Sequence, residues 1–144
     1  MRIMVDDMEL ELIRRKKIEE MMKMSQKTIP NEVINIESVD HFNKLVNDYQ
    51  DSLIIVDNWA EWCGPCRAFA PTYDALQKEY HDKDVIFAKL NVDHHQDIAA
   101  QFQVTGIPTT LFIHNKKLVH RQVGMAPKPQ FAQIIDAVLK KIKQ

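Results

Sequence analysis

The spacing of apolar residues changes repeatedly along this 144-residue chain, and each change predicts a new element of secondary structure. From residue 33 onward, short apolar runs typical of strands alternate with segments in which apolar residues recur at helical spacing. The predicted strands cover residues 33–36, 53–59, 85–92, 109–113 and 118–123. The predicted helices begin near Ser38, Cys63, Asp93 and Gln130. The order βαβαβαββα predicts an α/β fold, with a central mixed sheet flanked by helices on both faces.

The first residues follow a different pattern. Helix-forming residues dominate 6–24, and oppositely charged residues lie four positions apart, as in a solvated helix. The apolar residues of this segment fall on two opposite sides, so the helix could be solvated, dock weakly or pair with a copy of itself. The proline at position 30 disfavours helix at the preceding residue. We therefore expect a charged helical extension with its linker over 1–30, and one main domain over 31–144.

Composition narrows the possible functions. The chain is 45% hydrophobic and 27% charged, with a net charge of -1, so nothing indicates binding to nucleic acid or to an anionic membrane. No apolar run approaches the roughly 20 residues that a membrane span needs. The charged N-terminus lacks the apolar core of a secretory signal. We expect a monomeric, cytoplasmic protein.

Both cysteines of the chain, Cys63 and Cys66, lie at the start of a predicted helix, directly after a buried strand. Two thiols at this spacing can form a disulfide with each other. The free N–H groups and positive dipole end of the helix stabilise an anion there, so Cys63 should ionise more readily than a free thiol. A thiolate beside a second thiol can attack a disulfide in a partner and then be resolved by its neighbour. The motif therefore predicts a dithiol/disulfide oxidoreductase.

A zinc site is the alternative use of two cysteines, since the chain also has six histidines. No histidine pair at metal-ligand spacing accompanies the cysteines, and Gly64 and Pro65 between them fit redox exchange better. We therefore expect no metal.

From residue 33 to its C-terminus the chain resembles the thioredoxin family. The resemblance is carried by four segments in the family's order: the active-site segment 56–67, the strand 88–93, the proline loop 106–109 and the glycine at the end of 123–124. It implies the thioredoxin fold. The extension before residue 31 lies outside it.

The resemblance also implies chemical roles. Cys63 corresponds to the exposed nucleophile, and Cys66, which is more buried, resolves the mixed disulfide. Asp57 accepts a proton from Cys66, and Lys89 on the neighbouring strand is its candidate charge partner. A carboxylate in an apolar strand should have a raised pKa, as a base working near neutrality needs.

Substrate binding is implied at a flat apolar surface around the cysteines. The peptide bond before Pro108 is expected to be cis, which places backbone groups where an extended substrate can pair with them. The other implied members are Trp62, Gly64, Pro65, Ile107, Val123, Gly124 and Met125.

The implied activity is reduction of disulfides in partner proteins, with recharging by a separate thioredoxin reductase and no bound cofactor. Two other functions stay open: a protein-disulfide isomerase or oxidase, and a binding module that uses the apolar surface alone. The midpoint potential separates reductase from isomerase.

The chain departs from the family pattern in three places. Asn58 stands where an aromatic residue is usual, next to Asp57, where it could either retune the proton acceptor or change packing. Thr109 and Thr110 are more polar than is common after the proline. The hairpin at 115–116 lacks the usual glycine.

Overall fold

A computed structural model describes residues 6–25 and 28–144, and the predicted order of elements is confirmed. A short 3₁₀ turn at His81–Lys83 precedes the third strand. The helices and strands are α1 Asp7–Ser25, β1 Ile34–Asn35, α2 Val39–Asp48, β2 Leu53–Trp59, α3 Gly64–Tyr80, β3 Val85–Asn91, α4 Gln96–Gln101, β4 Thr109–His114, β5 Lys117–Val123 and α5 Lys128–Ile142.

The five strands form one mixed sheet in the order β1-β3-β2-β4-β5. The strands β1, β3 and β2 are parallel, whereas β4 and β5 run antiparallel to their neighbours. β2 lies at the centre, and six of its seven residues are buried, as its continuous apolar run predicts. The residues that follow β2 therefore emerge at the middle of the sheet edge.

Side chains of β2 alternate between the two faces of the sheet. Leu53 and Ile55 pack with the buried side chains of α3 and α5, and we call this side the α3 face. Ile54 and Val56 pack with those of α2 and α4, and we call this side the α2 face. The thioredoxin fold expected from the sequence is thus confirmed, with helices on both faces.

The N-terminal helix α1 is present as predicted, and the side chains described for it, residues 7–19, are exposed. Arg15 Nε lies 3.7 Å from Glu11 Oε1, an ion pair at the predicted four-residue spacing. After α1, the Tyr49 hydroxyl donates to the carbonyl oxygen of Thr28 at 3.2 Å, and Ile29 packs against the α2-face core. The chain thus contacts the main fold shortly before residue 31, while the division at that point stays a prediction.

The hairpin between β4 and β5 closes without glycine. Asn115 and Lys116 both have positive φ, 51° and 65°, which is the backbone of the tight turns that match strand twist. Asparagine tolerates this conformation because its short side chain can hydrogen-bond locally.

Within residues 6–25 and 28–144, no helix is both long enough and apolar enough to cross a bilayer.

Candidate active site

The two cysteines lie at the start of α3, just past the end of β2. They form a disulfide with their Cα atoms 5.3 Å apart. Cys63 is the N-cap residue, and its Sγ accepts a hydrogen bond from the Cys66 backbone N–H at 3.2 Å. Pro65 occupies the first turn, where the missing N–H would have no helical partner. The helix terminus can therefore stabilise negative charge on the Cys63 sulfur once the disulfide is reduced.

Both cysteines are buried in the disulfide form, with 4% of Cys63 and 2% of Cys66 exposed. The expectation that Cys63 is exposed is therefore wrong for this form. Ala60 and Ile107 pack around the disulfide, and the Ile107 carbonyl oxygen lies 3.8 Å from Cys63 Sγ.

The loop before β4 meets the end of β5 next to the cysteines. The Ile107–Pro108 peptide bond is cis, as the family resemblance implies. The Gly124 backbone N–H donates to the Pro108 carbonyl oxygen at 2.8 Å, and Gly124 has φ +87°, where a Cβ would be strained. The glycine thus joins β5 to the proline loop.

Large apolar side chains near this junction are exposed. The exposed fractions are 70% for Trp62, 65% for Val123 and 46% for Met125. The other predicted members of the surface lie in the same segments: Gly64 and Pro65 are exposed, Ile107 and Gly124 half-buried, and Pro108 buried. The structure therefore presents an apolar surface beside the disulfide.

Asp93 fixes the orientation of the Trp62 ring, and the sequence analysis did not identify it. The Trp62 Nε1–H donates to Asp93 Oδ2 at 2.9 Å. The sequence contained a signal for this contact. Asp93 follows β3 as the cysteine motif follows β2. Because the carboxyl ends of parallel strands meet at one edge of the sheet, the two segments are expected to lie close together.

Asp57 lies on β2 and is fully buried. It pairs in register with Lys89 on β3 and with Thr110 on β4. Burial raises the pKa of Asp57 to about 7, although the positive charge of Lys89 lowers it. Neither carboxylate oxygen has a hydrogen-bond partner among the described residues. A carboxyl group with this pKa can exchange a proton near neutral pH.

Lys89 faces both the protein interior and solvent. Its Nζ lies 4.8 Å from the centroid of the Trp59 ring, an attractive cation–π geometry. The residue also lines an open polar cavity of about 450 Å³, together with Asn35 and Asp74. Its charge therefore acts on Asp57 from a partly solvated position.

Tyr73, on α3, is a further neighbour of Asp57 that the sequence analysis did not identify. Its hydroxyl is shared between the carbonyl oxygens of Ile55 and Ala88, at 2.9 and 2.7 Å. Burial and, second, the negative charge of Asp57 raise its pKa well above the ordinary value for tyrosine. Cys66 lies two turns earlier on the same buried side of α3, so the inner face of this helix covers β2 around Asp57.

Asn58 points away from Asp57. Adjacent strand residues face opposite sides of the sheet, so Asn58 lies on the α2 face while Asp57 lies on the α3 face. The Asn58 Nδ2 donates to the carbonyl oxygens of Thr109 at 3.0 Å and Val56 at 3.4 Å. Of the two interpretations offered by the sequence, the structure favours altered packing: the amide ties β2 to the residue after the cis-proline.

Within residues 6–25 and 28–144, no cluster of three or more histidine, cysteine, aspartate or glutamate side chains has a geometry that could hold a metal ion.

Comparison with known proteins adds independent evidence. The family model described as "Thioredoxin" matches residues 33–137. Thioredoxin of Haemophilus influenzae is 44% identical over 106 residues, which are 74% of this chain and 96% of the relative. Thioredoxin of Mycoplasma pneumoniae is 35% identical over 104 residues, 72% of this chain and 98% of the relative.

Solved structures are similar over the same region. The crystal structure of Fasciola hepatica thioredoxin has a TM-score of 0.67 and 38% identity, covering 73% of this chain and 98% of its own. The short form of spinach chloroplast thioredoxin f has a TM-score of 0.69 and 29% identity, covering 78% and 98%. The family model begins at residue 33, so α1 precedes the matched region.

Proposed function

This chain belongs to the thioredoxin family and is a protein-disulfide reductase, and we propose that it works by a two-step exchange through Cys63 and Cys66. The observation that carries the proposal is the setting of the Cys63 sulfur, which caps α3 and accepts a hydrogen bond from the Cys66 N–H. A thiolate at this position is stabilised by the helix terminus. The redox-active group is the Cys63–Cys66 disulfide itself.

In the first step, the Cys63 thiolate of the reduced protein attacks one sulfur of a substrate disulfide. A mixed disulfide forms between Cys63 and the substrate, and the other substrate sulfur leaves as a thiolate, which takes up a proton. The cis-proline loop supports this step, because its backbone lies 3.8 Å from the Cys63 sulfur at the Ile107 carbonyl. An extended substrate segment can pair with that backbone.

In the second step, Asp57 accepts the proton of the Cys66 thiol. The Cys66 thiolate attacks Cys63 Sγ, the mixed disulfide breaks, and the second substrate sulfur leaves as a thiolate. Two electrons have then passed to the substrate, and the protein holds its own disulfide. The raised pKa of Asp57, about 7, supports this role, since a base works best near the operating pH. Lys89 moderates the pKa of Asp57 through its charge.

The partners follow from this cycle. Substrates of the family are proteins with accessible disulfides, and a separate reductase returns the disulfide to the dithiol. For this chain we propose that it works as a monomer, with a thioredoxin reductase, in the cytoplasm, and that neither nucleic acid nor a membrane is a partner. The net charge of -1 supports the last point.

The reductase activity is tested with insulin as substrate and dithiothreitol as electron source. The purified full-length protein should reduce the insulin disulfides many times faster than dithiothreitol alone, as followed by turbidity. A rate no higher than that of the dithiothreitol blank would overturn the proposal. The midpoint potential is expected at about -270 mV, whereas a value of about -180 mV would indicate an isomerase.

The apolar surface gives a second expectation. Replacing Trp62 with alanine should weaken the binding of protein substrates by about 1 to 2 kcal/mol, as expected for an aromatic side chain that becomes buried in the complex. The KM for insulin should then rise several-fold. The rate with a small disulfide such as oxidised glutathione should change little. Leu118→Ala, an exposed apolar residue at the other end of β5, is the matched control. If the two substitutions changed the KM for insulin equally, Trp62 would not be part of the binding surface.

A further inference from the structure

A row of polar residues crosses the whole sheet at the level of Asp57. The strand registers align Asn35 with Lys89, Lys89 with Asp57, Asp57 with Thr110, and Thr110 with Gln122. Directly opposed residues on neighbouring strands point to the same face. The row therefore lies on the α3 face, the side on which α3 covers β2.

Asp57 and Thr110 form the buried centre of this row. Each has 0% of its surface exposed. The alternation of packing confirms that they share a face, because the neighbouring pair Ile55 and Phe112 belongs to the α3-face core. Side chains in such a pair have their Cβ atoms about 4.5 to 5.5 Å apart, so one water can bridge their polar ends.

Both members of the pair need a polar partner. The Thr110 Oγ1 and the two Asp57 carboxylate oxygens have no hydrogen-bond partner among the described residues. A buried hydroxyl without a partner is unfavourable, and a buried charged carboxylate without one is more so. The hydroxyl can donate, and an ionised carboxylate can only accept, so each group supplies what the other lacks.

The other polar groups around Asp57 make no hydrogen bond to its carboxylate in the described part of the chain. Lys89 is the charged group on β3, and Tyr73 is the titratable group on α3. The Tyr73 hydroxyl proton is committed to two backbone carbonyls. Cys66 begins the same helix, but in the disulfide it carries no proton. Of the strand neighbours, Thr110 is the one with an uncommitted O–H directly opposite the carboxylate.

We propose that Thr110 is a positioning residue for the proton acceptor: its hydroxyl donates to the Asp57 carboxylate through one bridging water and stabilises the ionised form. This inference rests on the proposed role of Asp57 as the base of the second step. Burial alone drives Asp57 toward the protonated form, which cannot accept a proton from Cys66. A donor from β4 offsets part of that effect, and it holds the carboxylate in one orientation below α3.

The test is the titration of Asp57 in the full-length disulfide form, where the cysteines do not titrate. The probe is the carboxyl carbon signal of ¹³C-labelled aspartate, assigned by its disappearance in Asp57→Asn. Thr110→Val removes the hydroxyl at nearly constant shape, and it should lower the acid dissociation constant of Asp57 roughly tenfold, as expected for a lost hydrogen bond to a charged group. Thr110→Ser keeps the hydroxyl and should titrate within about twofold of the unmodified protein.

Two results would overturn the proposal: a Thr110→Val titration within twofold of the unmodified protein, or a Thr110→Ser variant shifted as far as Thr110→Val. The second would indicate packing in place of hydrogen bonding. Thr110→Ala is a further hydroxyl-free variant, so the result does not depend on tolerance of valine.

A kinetic measurement separates this inference from the role of Asp57. The rate of substrate release from the mixed disulfide is measured by stopped flow. Its pH profile should shift to higher pH in Thr110→Val. In a protein that already carries Asp57→Asn, adding Thr110→Val should cause no further change. If Asp57→Asn left this step unaffected, Asp57 would not be the base of the second step. The carboxyl titration would still report whether Thr110 hydrogen-bonds to Asp57 through the water.

Discussion

Replacing Cys63 with serine is expected to abolish insulin reduction, leaving only the rate of dithiothreitol alone. Serine fits the N-cap position, since its hydroxyl accepts the same backbone hydrogen bond that the sulfur accepts from Cys66. The helix should therefore be retained. A serine hydroxyl cannot attack a disulfide near neutral pH, because the reaction requires the thiolate. The loss would then be chemical, and thermal unfolding compared with that of the reduced unmodified protein checks that the fold is intact.

The matched control is Cys66→Ser, which removes the second cysteine and leaves the first. This variant should react once with a protein disulfide and accumulate the mixed disulfide at Cys63, visible as a covalent adduct on a non-reducing gel. Cys63→Ser should form no such adduct. If the adduct appeared with Cys63→Ser and not with Cys66→Ser, the order of attack would be reversed, with Cys66 as the nucleophile.

Features that depend on short segments of the chain were predictable from the sequence. The cysteine pair, the proline that follows Gly106 and Ile107, and the buried strand that holds Asp57 each occupy a few consecutive residues. The order of elements was equally accessible, because apolar spacing changes where strands give way to helices. These features fix the fold and the reacting sulfurs.

Features that depend on strand register or helix packing were not predictable from the sequence. The pairing of Asp57 with Thr110 joins positions 53 residues apart, and no local pattern specifies which residue of β4 lies opposite which residue of β2. The contact of Tyr73 with carbonyls of β2 and β3 depends on how α3 lies on the sheet. The burial of Cys63 depends partly on Ile107 of the proline loop, which comes from a distant part of the chain.

Asn58 is a different case, since the relevant rule was available. Consecutive residues of a strand point to opposite faces, so a residue beside Asp57 in sequence is separated from it by the sheet. Its hydrogen bond to the Thr109 carbonyl shows where the polar side chain acts instead. The pKa of Asp57 is set by burial and by the charge of Lys89, and by Thr110 in our proposal, with both residues on the α3 face.

The burial that suits Asp57 to proton transfer also makes it destabilising at neutral pH. Its pKa is about 7 in the folded chain, compared with an ordinary value of 3.8 for an aspartate side chain. When a group binds its proton more tightly in the folded state, the protein loses stability as the pH rises. The loss occurs between the pKa of the group in the unfolded state and its pKa in the folded state. The penalty is absent below about pH 4, grows between about pH 4 and 7, and is constant above, where it reaches about 4 kcal/mol.

Asp57→Asn is therefore expected to stabilise the protein by up to about 4 kcal/mol at pH 8 and to have little effect near pH 4. Asparagine has nearly the same shape but carries no charge, so it avoids the desolvation that raises the pKa of Asp57. The measurement is denaturant unfolding of the disulfide form at both pH values. Asp51→Asn, which changes an exposed carboxylate, is the control and should alter stability little at either pH. A stabilisation by Asp57→Asn that did not vary with pH would show that ionisation of Asp57 is not its source, and would remove the support that burial gives to its role as the base.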